Sequence, residues 1–249
     1  MSGLGMEGRT VLITGGGAGI GAQTVRTFHA AGATVYFTAR RDPTEELPAD
    51  ARLIIADATK EEDAFAAVAT ALSHNGRLDI AINNVGNLGE GDVWDRPLHE
   101  TPLEVWDSTM RQSLSTCMLA MKAALPPMIA RSSGVIVNVA SLAGMRVARF
   151  ASPAYSAAKA GVIHLSRKSA LAYAPMGIRI NCVAPGVTLT PQLQLLDKSE
   201  RDGIAKELHP SGQLVTTEEV ANAIFWAASD RSASMIGHVI PIDGGWSAL

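Results

Sequence analysis

Residues Thr10–Gly21 read TVLITGGGAGIG, a short apolar run that passes straight into a glycine-rich turn. Its β-branched residues suit a strand buried on both faces, as in a parallel sheet. Glycine lets the backbone turn sharply and approach a ligand closely, and the helical segment that follows to about Ala31 would aim unpaired N–H groups at a phosphate. The spacing departs from the general G-x-G-x-x-G dinucleotide fingerprint. It fits TGxxxGxG, with Thr14, Gly15, Gly19 and Gly21 at the fixed positions.

Working outward, six further strand-like runs follow: TVYFTA (34–39), RLIIA (52–56), LDIAIN (78–83), GVIVNVAS (134–141), IRINCVAP (178–185) and HVIPID (238–243). Helix-forming segments lie between them. Alternation of this kind predicts an α/β fold, a mostly parallel seven-stranded doubly wound sheet with helices on both faces. No linker, repeat or low-complexity run divides the 249 residues, so one domain is expected over 1–249.

A 47% hydrophobic and 18% charged composition is ample for a core covered on both sheet faces. A net charge of −3 without a basic cluster argues against a nucleic-acid surface. Cys117 and Cys182 are too few for a disulfide framework or a cysteine-based metal site, and read as buried thiols in a reducing compartment. No metal is expected. The opening MSGLGMEGRT lacks a signal-peptide core and no uninterrupted apolar run reaches bilayer length, so the expectation is a soluble, cytoplasmic protein without a membrane partner.

Tyr155 and Lys159 stand four residues apart in SPAYSAAKAGVIHLSRKSALAYA, a segment with helical spacing, and so share one helix face. An ammonium beside a phenol favours the phenolate and lowers a pKa that is ordinarily about 10. That equips a tyrosine as an acid or base near neutral pH. Ser141, at the end of GVIVNVAS, can offer a second hydrogen bond to the same substrate oxygen.

Taken together, TGxxxGxG, the upstream Ser141 and Tyr155-x-x-x-Lys159 resemble the classical short-chain dehydrogenase/reductase family, over roughly Gly8 to Trp246. The resemblance implies a Rossmann domain and reversible hydride transfer between a nicotinamide cofactor and a carbonyl or secondary alcohol. Tyr155 would exchange the proton, Lys159 would lower its pKa and bind the nicotinamide ribose, and Ser141 would hold the carbonyl oxygen. Gly15, Gly17, Gly19, Ile20 and Gly21 would hold the pyrophosphate. Asp57 and Ala58 would lie beside the adenine. Asn83-Asn84-Val85-Gly86 resembles the family's NNAG segment, with Asn84, Val85 and Gly86 lining the cleft and Asn83 structural. Pro185, Gly186, Val187 and Thr190 would meet the nicotinamide carboxamide, and residues 188–213 would form a flap over the substrate. The terminal strand implies a homotetramer.

Cofactor choice is read at the end of the second strand, where NAD-binding units carry an acid that accepts from the ribose 2′-hydroxyl. Here Ala39 is followed by Arg40 and Arg41. A guanidinium binds a 2′-phosphate through charge-assisted hydrogen bonds, so NADP(H) is expected over NAD(H), with Arg40 the principal contact. Asp57 or Thr59 can also cap the helix beginning near KEED.

One position departs from the family. The asparagine expected seven residues after Trp106, where it would hold a relay water near the lysine, is Ser113. Either the relay runs through Ser113 or turnover is impaired; Gln112 lies on another helix face. The helical region from about Leu103 to Arg131 is expected to break near Pro126-Pro127. Leu142, Met145, Val147 and Phe150 could wall a substrate pocket, with Leu88, Leu189 and Leu193 opposite, and Arg146 or Arg149 could meet an anion. His209 reads as a bystander. Two rivals remain: a cofactor-binding sensor with little turnover, and an enoyl reductase, whose relatives space tyrosine and lysine more widely.

Overall fold

In a computed structural model, residues 5–43 and 45–249 are described. Strands β1 (Thr10–Thr14), β2 (Thr34–Ala39), β3 (Arg52–Ile55), β4 (Ile80–Asn83), β5 (Gly134–Val139) and β6 (Ile178–Pro185) form the body of the sheet. A two-residue strand β7 (Thr188–Leu189) pairs with β8 (Val215–Thr216) apart from it, and β9 (Val239–Ile242) completes the main sheet. The order is β3-β2-β1-β4-β5-β6-β9, and all six pairings are parallel. Chain direction reverses its sideways progress between β1 and β4, the switch point at which open α/β sheets bind ligands.

Successive residues of a strand face opposite sides, and the core divides accordingly. Val11 and Ile13 of β1 face α1 (Gly19–Ala30), where Val25 and Phe28 meet Val220, Ile224 and Phe225 from the late helix Thr217–Ala228. Leu12, between them, faces the other layer, where α2 (Glu61–Leu72) supplies Ala67 and Val68. Helices α3 (Leu103–Met110), α4 (Thr116–Ala130) and α5 (Pro153–Tyr173) complete that layer, with Met121, Val162 and Ile163 at its centre. Phe28 and Phe225 pack at 5.2 Å between ring centroids, and burying either ring stabilises the fold by about 2–3 kcal/mol. Helix α6 (Lys198–Leu208) lies in the flap, and α7 (Thr217–Ala228) starts on a capping box between Thr216 and Glu219.

Three local expectations are corrected. The long helical region does not break at the prolines: α4 runs through Pro126 and Pro127, held by Leu125 and Met128 in the core. It breaks earlier, in a π-helical turn at Arg111–Ser115, the kind of irregularity that marks functional sites. Helix α2 is capped by neither Asp57 nor Thr59; it begins after Lys60, and Asp57 instead closes an Asx turn on Thr59. The run Leu103–Ala130 is long and apolar enough to span a bilayer by length and composition, and half of its apolar window is buried within the fold.

Candidate active site

Helix α5 delivers Tyr155 and Lys159 to the carboxyl end of the sheet, and its start is fixed by Ser152, whose hydroxyl accepts the Tyr155 N–H at 3.2 Å. Pro153 at the first helical position has no N–H to leave unpaired. Lys159 is 2% exposed and its Nζ donates to the Val139 carbonyl at 2.9 Å, which ties helix to β5. Ser141 leaves β5 on the other side of the same point, and its Oγ accepts from the Ala143 N–H. The three residues read from the sequence therefore converge.

The electrostatics differ from the expectation. Burial raises the Tyr155 pKa, and only the nearby Ser141 hydroxyl acts in the opposite direction. The lysine does not lower it in this arrangement, because Nζ is committed to Val139 and lies 5.7 Å from the phenol ring centroid. Burial instead pushes the Lys159 ammonium down to about 8. The two thiols behave as structural groups, pushed up to about 12 at Cys117 and about 11 at Cys182 by burial.

Ser113 is fully buried on the π-turn, and its Oγ donates to the Asn87 carbonyl at 2.7 Å. A side chain at Gly86 would collide with Lys159 Nζ and lie 3.5 Å from Ser113 Oγ, so both groups flank this one glycine. Having spent its proton on Asn87, the hydroxyl keeps lone pairs to accept from water or an ammonium.

Residues missed by the sequence reading come from the loop before α3. Trp94 stands edge-on to the Tyr155 ring at 5.2 Å and is 45% exposed. Asp92, with no side-chain exposure, accepts from Ser152 Oγ at 2.7 Å and Thr109 Oγ1 at 2.8 Å, so it anchors both this loop and the start of α5. A GDVWD stretch in a presumed loop offers no periodic signal for either role. Of the expected walls, Met145 and Phe150 are part-exposed and Val147 almost fully so, whereas Leu142 is buried in the core. Arg146 donates to the Ser247 carbonyl and Arg149 lies over Phe150. A cavity of about 820 Å³ opens beside Ala157 and Ala160 of α5, lined also by Met145 and Val147, and includes none of Ser141, Tyr155 or Lys159.

At the other end of the cleft, Gly15 and Gly19 adopt φ of +67° and +57°, and a Cβ on Gly21 would strike the Gly15 carbonyl. Only glycine fits this turn. Asn84 braces it from behind, donating to the carbonyls of Thr14 and Gly15. Gly19 N–H, at the start of α1, donates to Glu45 Oε1 at 2.6 Å, and Glu45 also pairs with Arg26. The glycine cradle and a helix N–H that already attracts the chain's own carboxylate fit the pyrophosphate of a dinucleotide. Arg40 and Arg41 are exposed, with no ion pair among the described residues. Asp57 Oδ1 takes both Thr59 bonds, which hold its carboxyl below the ordinary range with help from Lys60 and Arg40. Asn83 and Asn138 bond each other inside the sheet, a structural pairing.

Near β7, Val187 N–H donates to His209 Nε2 at 3.2 Å and Val187 O accepts from Val215 N at 3.1 Å. Its main chain is thus committed within the protein, and His209, 1% exposed, is no bystander. Thr190 lies across the cleft from the glycine turn: a Cβ on Gly19 would meet its Cγ2 at 3.6 Å.

Comparison with known proteins agrees with this geometry. A family profile described as enoyl-(acyl carrier protein) reductase matches residues 15–247. The chain is 36% identical over 248 residues to cis-4-hydroxycyclohexanecarboxylate dehydrogenase of Sinomonas cyclohexanicum, covering 97% of each. It is 34% identical to cyclohexanol dehydrogenase of Acinetobacter sp., covering 96% of this chain and 95% of that one. A solved structure, ElxO with NADP bound, superposes with a TM-score of 0.89 at 31% identity, covering 97% of this chain and 99% of the other.

Proposed function

The chain belongs to the short-chain dehydrogenase/reductase family, whose members act on alcohols and ketones, and on that premise we propose an NADP(H)-dependent dehydrogenase of cyclic secondary alcohols working through Tyr155. The observation that carries the reading is the convergence of Ser141, Tyr155 and Lys159 at one end of a cleft whose other end turns the N–H at the start of α1 toward a carboxylate, that of Glu45. When bound, the nicotinamide cofactor supplies the hydride chemistry. Ser141 positions the substrate oxygen and stabilises charge as it develops there. Tyr155 gives that oxygen a proton or takes one from it. Lys159, leaving Val139 or sharing its bond, provides the positive charge that makes phenolate accessible, and Ser113, as an acceptor, holds the water through which protons pass onward.

The preference for NADP(H) rests on Arg40 and Arg41, exposed and, among the described residues, without an ion pair beside the glycine turn. A cyclic substrate fits the indole of Trp94 beside the phenol and the part-exposed Met145 and Phe150, and both named relatives act on cyclohexane rings by name. The four-residue spacing of Tyr155 and Lys159 favours this over enoyl reduction. We further propose a cytoplasmic homotetramer, supported by edge strand β9, whose Val239, Ile240 and Ile242 are only partly covered within one chain; light scattering on the purified protein reads the assembly. The deciding experiment follows NADPH absorbance over a panel of cyclic and acyclic ketones, with NADH in parallel and Tyr155→Phe as control. Turnover that vanishes in the variant supports the reading. Cofactor binding without turnover, converted to turnover by Ser113→Asn, would make the native protein a sensor instead.

A further inference from the structure

We infer that His209 is a positioning residue for the nicotinamide end of the cleft, acting through the Val187 main chain; this rests on the reading above that the cleft takes a nicotinamide dinucleotide. The tautomer follows from the partners. Nδ1 lies 2.7 Å from the Gln213 carbonyl, which can only accept, so Nδ1 carries the proton. Nε2 is thereby left as the acceptor for Val187 N–H.

The ring has nowhere else to go. A Cβ on Gly186 would lie 2.9 Å from Nε2, and one on Gly244 would lie 3.0 Å from His209 Cβ, so both neighbours are glycines for lack of room. Trp246 closes the remaining side at 5.9 Å between centroids. The imidazole is clamped between the Pro185-Gly186-Val187 segment and the turn at Gly244-Gly245.

Consequences follow for the cleft. With Val187 N–H held by His209 and its carbonyl held by Val215, the backbone entering β7 is fixed from behind. The face presented to a nicotinamide is then Thr188 to Thr190, which stands opposite the glycine turn. His209 also ends α6 as its C-cap, with its own N–H on the Ala205 carbonyl. The same side chain therefore joins the flap helix to the segment that must hold the nicotinamide ring.

The test separates the two ends of the cofactor. NADPH and 2′,5′-ADP, which keeps the adenine and 2′-phosphate but lacks the nicotinamide half, are titrated into wild type, His209→Phe and His209→Gln. Loss of the acceptor for this partly buried N–H is expected to weaken NADPH by about tenfold in His209→Phe. Binding of 2′,5′-ADP should stay within about twofold, and Gln, whose amide oxygen reaches the place of Nε2, should recover most of the loss. Equal weakening of both ligands, or of neither, overturns the inference. Should the Phe variant not fold, His209→Asn replaces it: its amide reaches only the place of Nδ1, so NADPH affinity must fall in Asn and not in Gln. A wild type that binds NADH alone moves the comparison to NADH and ADP. A wild type that binds no dinucleotide overturns the cofactor reading itself, and the inference with it.

Discussion

The two ends of the cleft are built by different means. The glycine end is held by backbone sterics: two left-handed glycines, a third packed onto a carbonyl, and Asn84 bonded behind them. Its tightest tolerance, a Cβ at Gly21 against the Gly15 carbonyl, is set within seven consecutive residues. The chemical end is assembled from at least six segments distant in sequence, with Lys159 on the Val139 carbonyl, Trp94 on the Tyr155 ring, Ser113 beside Gly86 and His209 on Val187. A local construction fails when one atom is added. A convergent one fails by degrees, according to which group acts on protons and which only supports it.

The largest effect should come from the group that exchanges the proton. Tyr155→Phe is expected to lower kcat/KM by about 10²–10⁴-fold with cofactor affinity unchanged, as steady-state kinetics and a cofactor titration will read. An unchanged kcat/KM would remove Tyr155 from the mechanism. Next is the glycine end. Gly21→Ala puts a methyl onto the Gly15 carbonyl, and overpacking of that kind costs about 1–3 kcal/mol. NADPH affinity should fall by about tenfold or more while the far face of the sheet is untouched. Were the alanine variant to bind normally, the turn would be more compliant than its sterics state.

These two positions also divide what the sequence could disclose. TGxxxGxG and YSAAK each lie in one stretch with a fixed period, so spacing alone places their residues on a turn or a helix face, and the strand runs predict the sheet nearly residue for residue. What could not be read depends on packing between segments. Nothing local reports that α4 continues through two prolines, that the helix breaks instead at Ser113, or that Asp92 is buried beneath Ser152. His209 has the sequence context of a surface histidine, and only the two crowding glycines reveal its burial. The Tyr155 pKa is raised rather than lowered for the same reason: helical spacing gives adjacency, but not the burial of the phenol or the Val139 carbonyl that takes the ammonium.

A smaller effect should test cofactor choice. Arg40→Ala is expected to weaken NADPH by about tenfold and leave NADH within about twofold, because a single exposed charge-assisted contact to a 2′-phosphate is worth about 1–2 kcal/mol. Equal loss for both cofactors would mean that Arg40 acts on the shared pyrophosphate, and no loss would pass the role to Arg41. Trp94→Ala should act on substrate alone, raising KM several-fold for a cyclic ketone and less for an acyclic one, since a ring edge contact contributes about 0.5–1.5 kcal/mol.

The last prediction concerns stability, where Lys159 and Tyr155 have opposite signs. Burial holds the Lys159 pKa at about 8 against 10.5 for the exposed group. Between those values the unfolded chain binds a proton that the native chain has lost, so stability rises with pH across that window. Below about pH 8 both states are protonated and the native state carries the full cost of burying the charge, at most about 3 kcal/mol by the size of the shift. Tyr155 works the other way. Its pKa is raised, so above about pH 10 the unfolded chain ionises first and stability falls again. Denaturant titrations from pH 7 to pH 11 should therefore show stability climbing through pH 8–10 and turning over near pH 10. Lys159→Met, which keeps length and volume without charge, should flatten the rise and leave the turnover. A rise that survives in Lys159→Met would place the titrating group elsewhere. If the rise is absent from wild type as well, the ammonium is better solvated than its 2% exposure indicates, and the convergent end of the cleft admits water to the lysine even without cofactor.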